Sequence, residues 1–367
     1  MKNEFNRGVM ISRLMILLLL LVSFSTTSAQ AADVFMCKDA MGRTAFQDHP
    51  CHSAEAEKKI KVFVAPKPPP VESEVESPDV AATADAETKN PEKKIAASKN
   101  FAWKITKGKK QGYLMGSIHF GKASMYPLPV TLLNAFKGTD ALVVEANVVD
   151  ADQNMLAQTM MSAGVYTDGQ TLKTVLSKSS WNDLNVTASE LGIPVAMVEG
   201  MKPWFASMTL TALALKKIGL DESLGIDRHF LDLAKKEHKP IRELESVEQQ
   251  LALLSGLPKK VQLAMLEQTI NDIGNAKEYF DTMLKAWQAG DVSAIDKQFV
   301  DDMKKSAENR KLNKVMITDR NAAMAKGVDA MVRGGCNCFV VVGAGHLGGE
   351  KGIIKLLQGK GYEVEQM

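Results

Sequence analysis

The chain predicts an α/β fold with a mostly parallel β-sheet, flanking helices and a large helical insertion. Three observations predict it. Short apolar runs rich in β-branched residues alternate with longer stretches of helical periodicity. Several of these runs are bounded by glycine and apolar throughout, the pattern of strands covered on both faces. The region from about 200 to 335 holds more helix than a simple βα repeat needs.

The elements follow in order. Residues 1–31 read as a secretory signal peptide. Lys2, Arg7 and Arg13 precede the apolar run 14–25, and Ala29-Gln30-Ala31 offers a small-residue cleavage site. The run is too short for a comfortable membrane span, and no later segment is long and apolar enough to form one. Export, with a periplasmic location, is the expectation. Residues 32–65 read as a small module. Val34 to Met36 and Thr44 to Gln47 form a hairpin about Met41-Gly42, stapled by a Cys37–Cys51 disulfide in an oxidising compartment. Residues 66–98 lack aromatics and are rich in Pro, Ala and Glu, as in a disordered linker.

The large domain spans 99–367. Strands are expected at Gly112 to Gly116, Ala141 to Glu145, Val195 to Glu199, Pro240 to Leu244 and Phe339 to Gly343. Helices are expected before Gly138, a natural C-cap, and over Pro203 to Lys217, 225–238, 245–290 and 308–333. The 20 methionines are mostly core filling. Cys336 and Cys338 are too close in sequence for a relaxed bridge, so two reduced thiols are expected, with a redox-active pair as the alternative. A formal charge of +2 with no basic stripe gives no case for nucleic acid. No pattern specifies an oligomeric state.

Two apolar runs end in Gly-x-x-His: Gly116-Ser117-Ile118-His119 and Gly343-Ala344-Gly345-His346. With 26 glycines and 6 histidines in 367 residues, fewer than one such match is expected by chance. Other runs end in Glu145, Glu199, and Glu243 with Glu245. Parallel strands would gather these groups at one sheet edge, where α/β folds bind ligands. Imidazole and carboxylate together suit a divalent transition metal with an open position for water. The plainer readings differ by residue. Glu199 reads as a helix cap and Glu243 as a solvated neighbour. Glu245 or Ser246 starts a helix. His229 and His238 read as surface residues.

The stretches "YLMGSIHFGKASMYPLP", "ALVVEANV", "GIDRHFLDLAKKEHKPIRELESVEQQLALL", "TDRNAAMA" and "VVVGAGHLGGEKG" together resemble the TraB/PrgY/GumN family, which is related to the Tiki proteases. The resemblance runs from about 101 to 367. It implies a metal-dependent peptidase or related hydrolase. His119, His346 and Glu145 would be metal ligands, and Asp227 and Arg320 polar site residues. The ion would be Mn²⁺, Zn²⁺ or Co²⁺, and the partner a peptide or protein substrate. In that chemistry Glu245 or Glu145 would manage the proton, and Arg320 would stabilise charge on the carbonyl oxygen. The H-E-x-x-H zinc signature is absent. The alternatives are a non-catalytic envelope protein that sequesters a peptide or metal, and hydrolysis of a non-peptide ester or amide. The N-terminal stretch "VFMCKDAMGRTAFQDHPC" resembles small modules at the N-termini of bacterial envelope proteins.

Overall fold

The computed structural model describes the backbone at 30–38, 44–47, 58–64, 99–303 and 306–367, with side chains over 99–298 and 306–367. The N-terminal strands and the residues from 99 onward belong to separate units. In the first, β1 (Gln30–Lys38) lies between β2 (Thr44–Gln47) and β3 (Lys58–Val64), antiparallel to both. The signal cleavage, the Met41-Gly42 turn, the Cys37–Cys51 bridge and the linker lie outside the described residues.

The second unit is built on a six-stranded sheet. Its strands are β4 (Ala102–Lys107), β5 (Lys110–Ser117), β6 (Ala141–Val144), β7 (Ile241–Glu243), β8 (Cys338–Gly343) and β9 (Glu363–Gln366). The order across the sheet is β7-β6-β8-β5-β4-β9. The four strands from β7 to β5 are parallel, and β4 and β9 close one side antiparallel. The last parallel strand of the chain thus sits between the first two. Every residue of β6 and β8 is buried, which is why both read as unbroken apolar runs. Phe339 of β8 packs against the rings of Phe136 and Phe230, with centroids 5.7 and 4.9 Å away. Burying such a ring contributes about 1.5–3 kcal/mol.

Helices cover both connections around β7. Between β6 and β7 run Gln153–Gly164, Lys178–Glu190, Pro203–Lys217 and Ile226–Lys236, so the insertion begins well before residue 200. Between β7 and β8 run Val247–Ser255, Lys259–Asp272, Ala276–Gln288, Val292–Met303, Ala307–Asn313 and Asp319–Arg333. The stretch 245–290, expected to be helical, is divided into three helices. Pro258 caps the second of them, and a short 3₁₀ turn separates the third. A second, smaller core joins Leu172, Leu184 and Val198 to Leu210 and Leu266.

The strand expected at Val195 to Glu199 is a short helix, Ala196–Glu199. Only Val198 of it is buried, and it faces the second core rather than the sheet. A run of four apolar residues, Val195 to Val198, cannot by itself separate a strand from a buried helical turn. The cysteines also differ from expectation: Cys336 and Cys338 are joined by a disulfide. Asn337 donates from its backbone to Asp140 and from its side chain to the Gly138 carbonyl, which bends the chain here. The two Cα atoms stand 5.2 Å apart, within the usual span of about 4.4–6.8 Å. Among the described residues no helix is long and apolar enough to cross a membrane.

Candidate functional site

Four neighbouring strand ends deliver the site. Across the sheet the order is Glu245 after β7, Glu145 after β6, His346 after β8 and His119 after β5. The register sets Ser117 beside Gly343, so both Gly-x-x-His segments leave the sheet at one level. The glycines serve packing. A Cβ on Gly116 would lie 2.5 Å from the Phe101 ring, so the group approaching that backbone is the protein's own aromatic. His346 closes a 3₁₀ turn and is fully buried rather than standing at an open mouth.

Arg320 enters from the helix Asp319–Arg333, directly after a π-helical turn, Lys314–Thr318. Such wide turns recur at functional sites. Its Nη2 donates to Glu145 Oε2 at 2.7 Å and meets Glu245 Oε2 at 2.8 Å. Its Nε donates to both Glu245 oxygens at 3.2 and 2.9 Å, and Nη1 to the Met316 carbonyl. Nη1 also stands 3.3 Å from His346 Nε2. Glu245 is thus committed to holding the guanidinium. The Gly343 N–H donates to Glu145 Oε1, which is 3.6 Å from His346 Nε2. Gln250 donates to Glu245 and, at 3.5 Å, to Glu145.

His119 pairs with Asp227, Nδ1 to Oδ1 at 3.1 Å. The contact is laced by backbone. Ile226 N–H donates to the Ile118 carbonyl, and a Cβ on Gly225 would lie 2.3 Å from the His119 carbonyl oxygen. Only glycine allows that approach, so the Gly-Ile-Asp segment sets where His119 sits.

The remaining expected residues fall elsewhere. Glu199 ends its short helix, half-buried and away from these strand ends. Glu243 is exposed and accepts from the Asn147 N–H. His238 is exposed with φ 54°, but His229 is half-buried with its ring 5.1 Å from that of Tyr126. Of the site's residues, Gln250 was not singled out from sequence, and Asn321 only as the second half of an Arg-Asn pair in the resemblance, with no role assigned. Each interrupts the apolar stripe of its helix. Gln250 lies among Val247, Leu251 and Leu254, and Asn321 leads Met324, Ala325 and Val328. A polar residue on a buried stripe was the available signal.

The charges are settled by these contacts. Burial would raise the Glu145 carboxyl, but His346, Arg320, His119 and the Gly343 N–H together hold it down at about 2. Burial drives His346 down to about 3, so it is neutral near pH 7. Burial also works to lower His119, but Asp227 and then Glu145 outweigh it and raise its proton affinity.

Acid sensitivity follows from the first two. Glu145 falls from its ordinary 4.5 to about 2, and His346 from 6.5 to about 3. The folded state therefore binds fewer protons than the unfolded chain between about pH 6.5 and 2, and stability rises with pH across that window. Glu145 alone accounts for about 3 kcal/mol. Urea unfolding should show a midpoint that falls steadily from pH 6.5 toward pH 3 and that also declines as pH rises above 6.5, where His119, with its raised proton affinity, loses its contribution. A midpoint independent of pH over that range would contradict the assigned charges.

The donor set fits a divalent ion in kind: two imidazoles and a carboxylate. His119 Nε2 is buried without a hydrogen-bond partner, as are Ser117 Oγ and Gln250 Oε1. With Arg320 lying on Glu145 and His346, no three His, Cys, Asp or Glu side chains among the described residues converge on one point. Guanidinium and ion compete for the same lone pairs.

The model of the TraB/PrgY/gumN family matches residues 101–366. The chain belongs to that family. Residues 16–86 match a domain of unknown function, DUF4124. Two relatives in the family's range are each called "Uncharacterized protein YbaP", from Shigella flexneri and Escherichia coli K12. Both are 32% identical over 251 residues, which covers 68% of this chain and 89% of theirs. No solved structure matches.

Proposed function

We propose that the protein is an exported, periplasmic, metal-dependent hydrolase acting on peptides or proteins. What supports this reading is that three adjacent parallel strands end beside His119, Glu145 and His346, with His119 Nε2 buried and without a hydrogen-bond partner and His346 Nε2 3.6 Å from Glu145 Oε1. Those three residues would hold Mn²⁺, Zn²⁺ or Co²⁺. A bound ion supplies a Lewis acid and a water of lowered pKa.

The chain's own groups do the rest. Glu145 stays an anion and is a weak base, so it serves as a ligand. Asp227 fixes the His119 ring. Arg320, turned from His346 toward a substrate, donates N–H groups to the oxygen of the carbonyl under attack. That turn also frees Glu245 to take a proton. The motif set of the family supports the hydrolase reading; the completed Arg320 network favours the alternative, a protein that sequesters a peptide or metal without turning it over.

The test is a digest. The mature protein, loaded with Mn²⁺, Zn²⁺ or Co²⁺, is incubated with a broad peptide library and the products are read by mass. New masses that vanish with chelator support the hydrolase. Saturable binding without product selects the sequestering alternative.

A further inference from the structure

We propose that Asn321 is a positioning residue that fixes the tautomer of His346, so that Nδ1 carries the proton and Nε2 presents a lone pair to the site. The proposal deepens the reading above and rests on His346 acting through Nε2.

Two independent contacts lead to it. Asn321 is 2% exposed and its amide is pinned at both ends. One end lies 2.8 Å from the Lys351 carbonyl, which can only accept, so that end is the amide nitrogen. The other end is therefore oxygen, 2.6 Å from His346 Nδ1. An amide oxygen can only accept, so Nδ1 carries the hydrogen. On the far side of the ring, Arg320 Nη1 stands 3.3 Å from Nε2. A guanidinium can only donate, so this longer contact is compatible with a lone pair on Nε2, while the 2.6 Å bond from Nδ1 to Asn321 is the one that decides the tautomer. Both contacts agree with one tautomer of a neutral ring, and the partner of the second nitrogen is what decides which nitrogen is presented.

The glycines after His346 acquire a purpose here. Gly349 has φ +77°, and a Cβ on it would lie 2.5 Å from Asp296 Oδ1; one on Gly352 would lie 2.1 Å from the Gly348 carbonyl oxygen. Gly349 lies against Asp296 of the helix Val292–Met303, and Gly352 lies where the loop doubles back on its own backbone. That return carries the Lys351 carbonyl to Asn321.

The experiment uses metal-free, full-length mature protein with ¹⁵N-labelled histidine at pH 8. Long-range ¹H–¹⁵N correlation reads the tautomer of His346, assigned by its loss in His346→Gln. The wild type is expected to show Nδ1–H. Asn321→Leu, which keeps the shape and removes the acceptor, should give an averaged or reversed pattern. Its affinity for Mn²⁺ and Zn²⁺, by calorimetry, should fall about 10- to 100-fold. Asn321→Asp keeps an acceptor and should keep Nδ1–H. A wild type showing Nε2–H overturns the proposal without any variant. So does an Asn321→Leu protein with the wild-type pattern. Because the tautomer is read without metal or substrate, an Nδ1–H wild type that cleaves nothing would sink the hydrolase and leave this assignment standing.

Discussion

His346→Ala and His119→Ala should each lose bound divalent metal and lower turnover by more than about 10³-fold. The two replacements act differently. His346 is fully buried and sits between Asn321, Arg320 and Glu145, so its loss removes a donor and leaves three polar partners facing a void. His119 is held by Asp227 alone, and its Nε2 has no other partner, so its loss removes a donor with little damage to the network. His346→Ala should therefore also be less stable than His119→Ala. His238→Asn, at an exposed position with φ 54°, is the control and should retain metal and turnover. Elemental mass spectrometry and the peptide digest read the outcome. Full metal content in either alanine variant would remove that histidine from the site.

Arg320→Met should destabilise the fold by about 3–5 kcal/mol, the usual cost of stranding buried charge. Arg320 has 5% of its side chain exposed, and Glu145 and Glu245 have 3% and 11%. Without the guanidinium the two carboxylates face each other with only Gln250 and the Gly343 N–H to donate. Adding Glu145→Gln and Glu245→Gln to Arg320→Met should restore most of the loss, because an uncharged set needs no counter-ion. Divalent metal should stabilise the single variant more than it does the wild type, since the ion no longer competes with a resident cation. Urea unfolding with and without Mn²⁺ decides both points. A loss below 1 kcal/mol would mean that the ion pairs are screened by water the geometry does not suggest.

Much of this was legible in the sequence, for physical reasons. β5, β6 and β8 carry bounded apolar runs, and β7, the short Ile-Arg-Glu edge, follows a helix and precedes one; the parallel arrangement brings their ends together. β9 was not legible because it is a polar edge, Glu-Val-Glu-Gln, whose pairing with β4 is made by backbone. Val195 to Glu199 misled because a short apolar stretch obeys either period. Residue identity also says little about which oxygen meets which nitrogen. Glu245 reads as a free carboxylate at a helix start, whereas Ser246 caps that helix and Glu245 holds Arg320. Asn321 lay beside a residue already singled out, but its role depends on a carbonyl 30 residues downstream.

The position of β8 has a consequence for biogenesis. The strand that completes the sheet's centre is residues 338–343, and it joins β5, residues 110–117, to β6, residues 141–144. Closing contacts so distant in sequence is slow. A chain emerging from its N-terminus can pair β5 with β4 and later β6 with β7, but the edges of β5 and β6 that face each other across β8 stay open until nearly all of it has been delivered. The site cannot form in a chain that stops short of β8, so the activity proposed here would be silent until synthesis is essentially finished. The same delay leaves two apolar strand edges open for most of that time, which makes this step the one most in need of a chaperone.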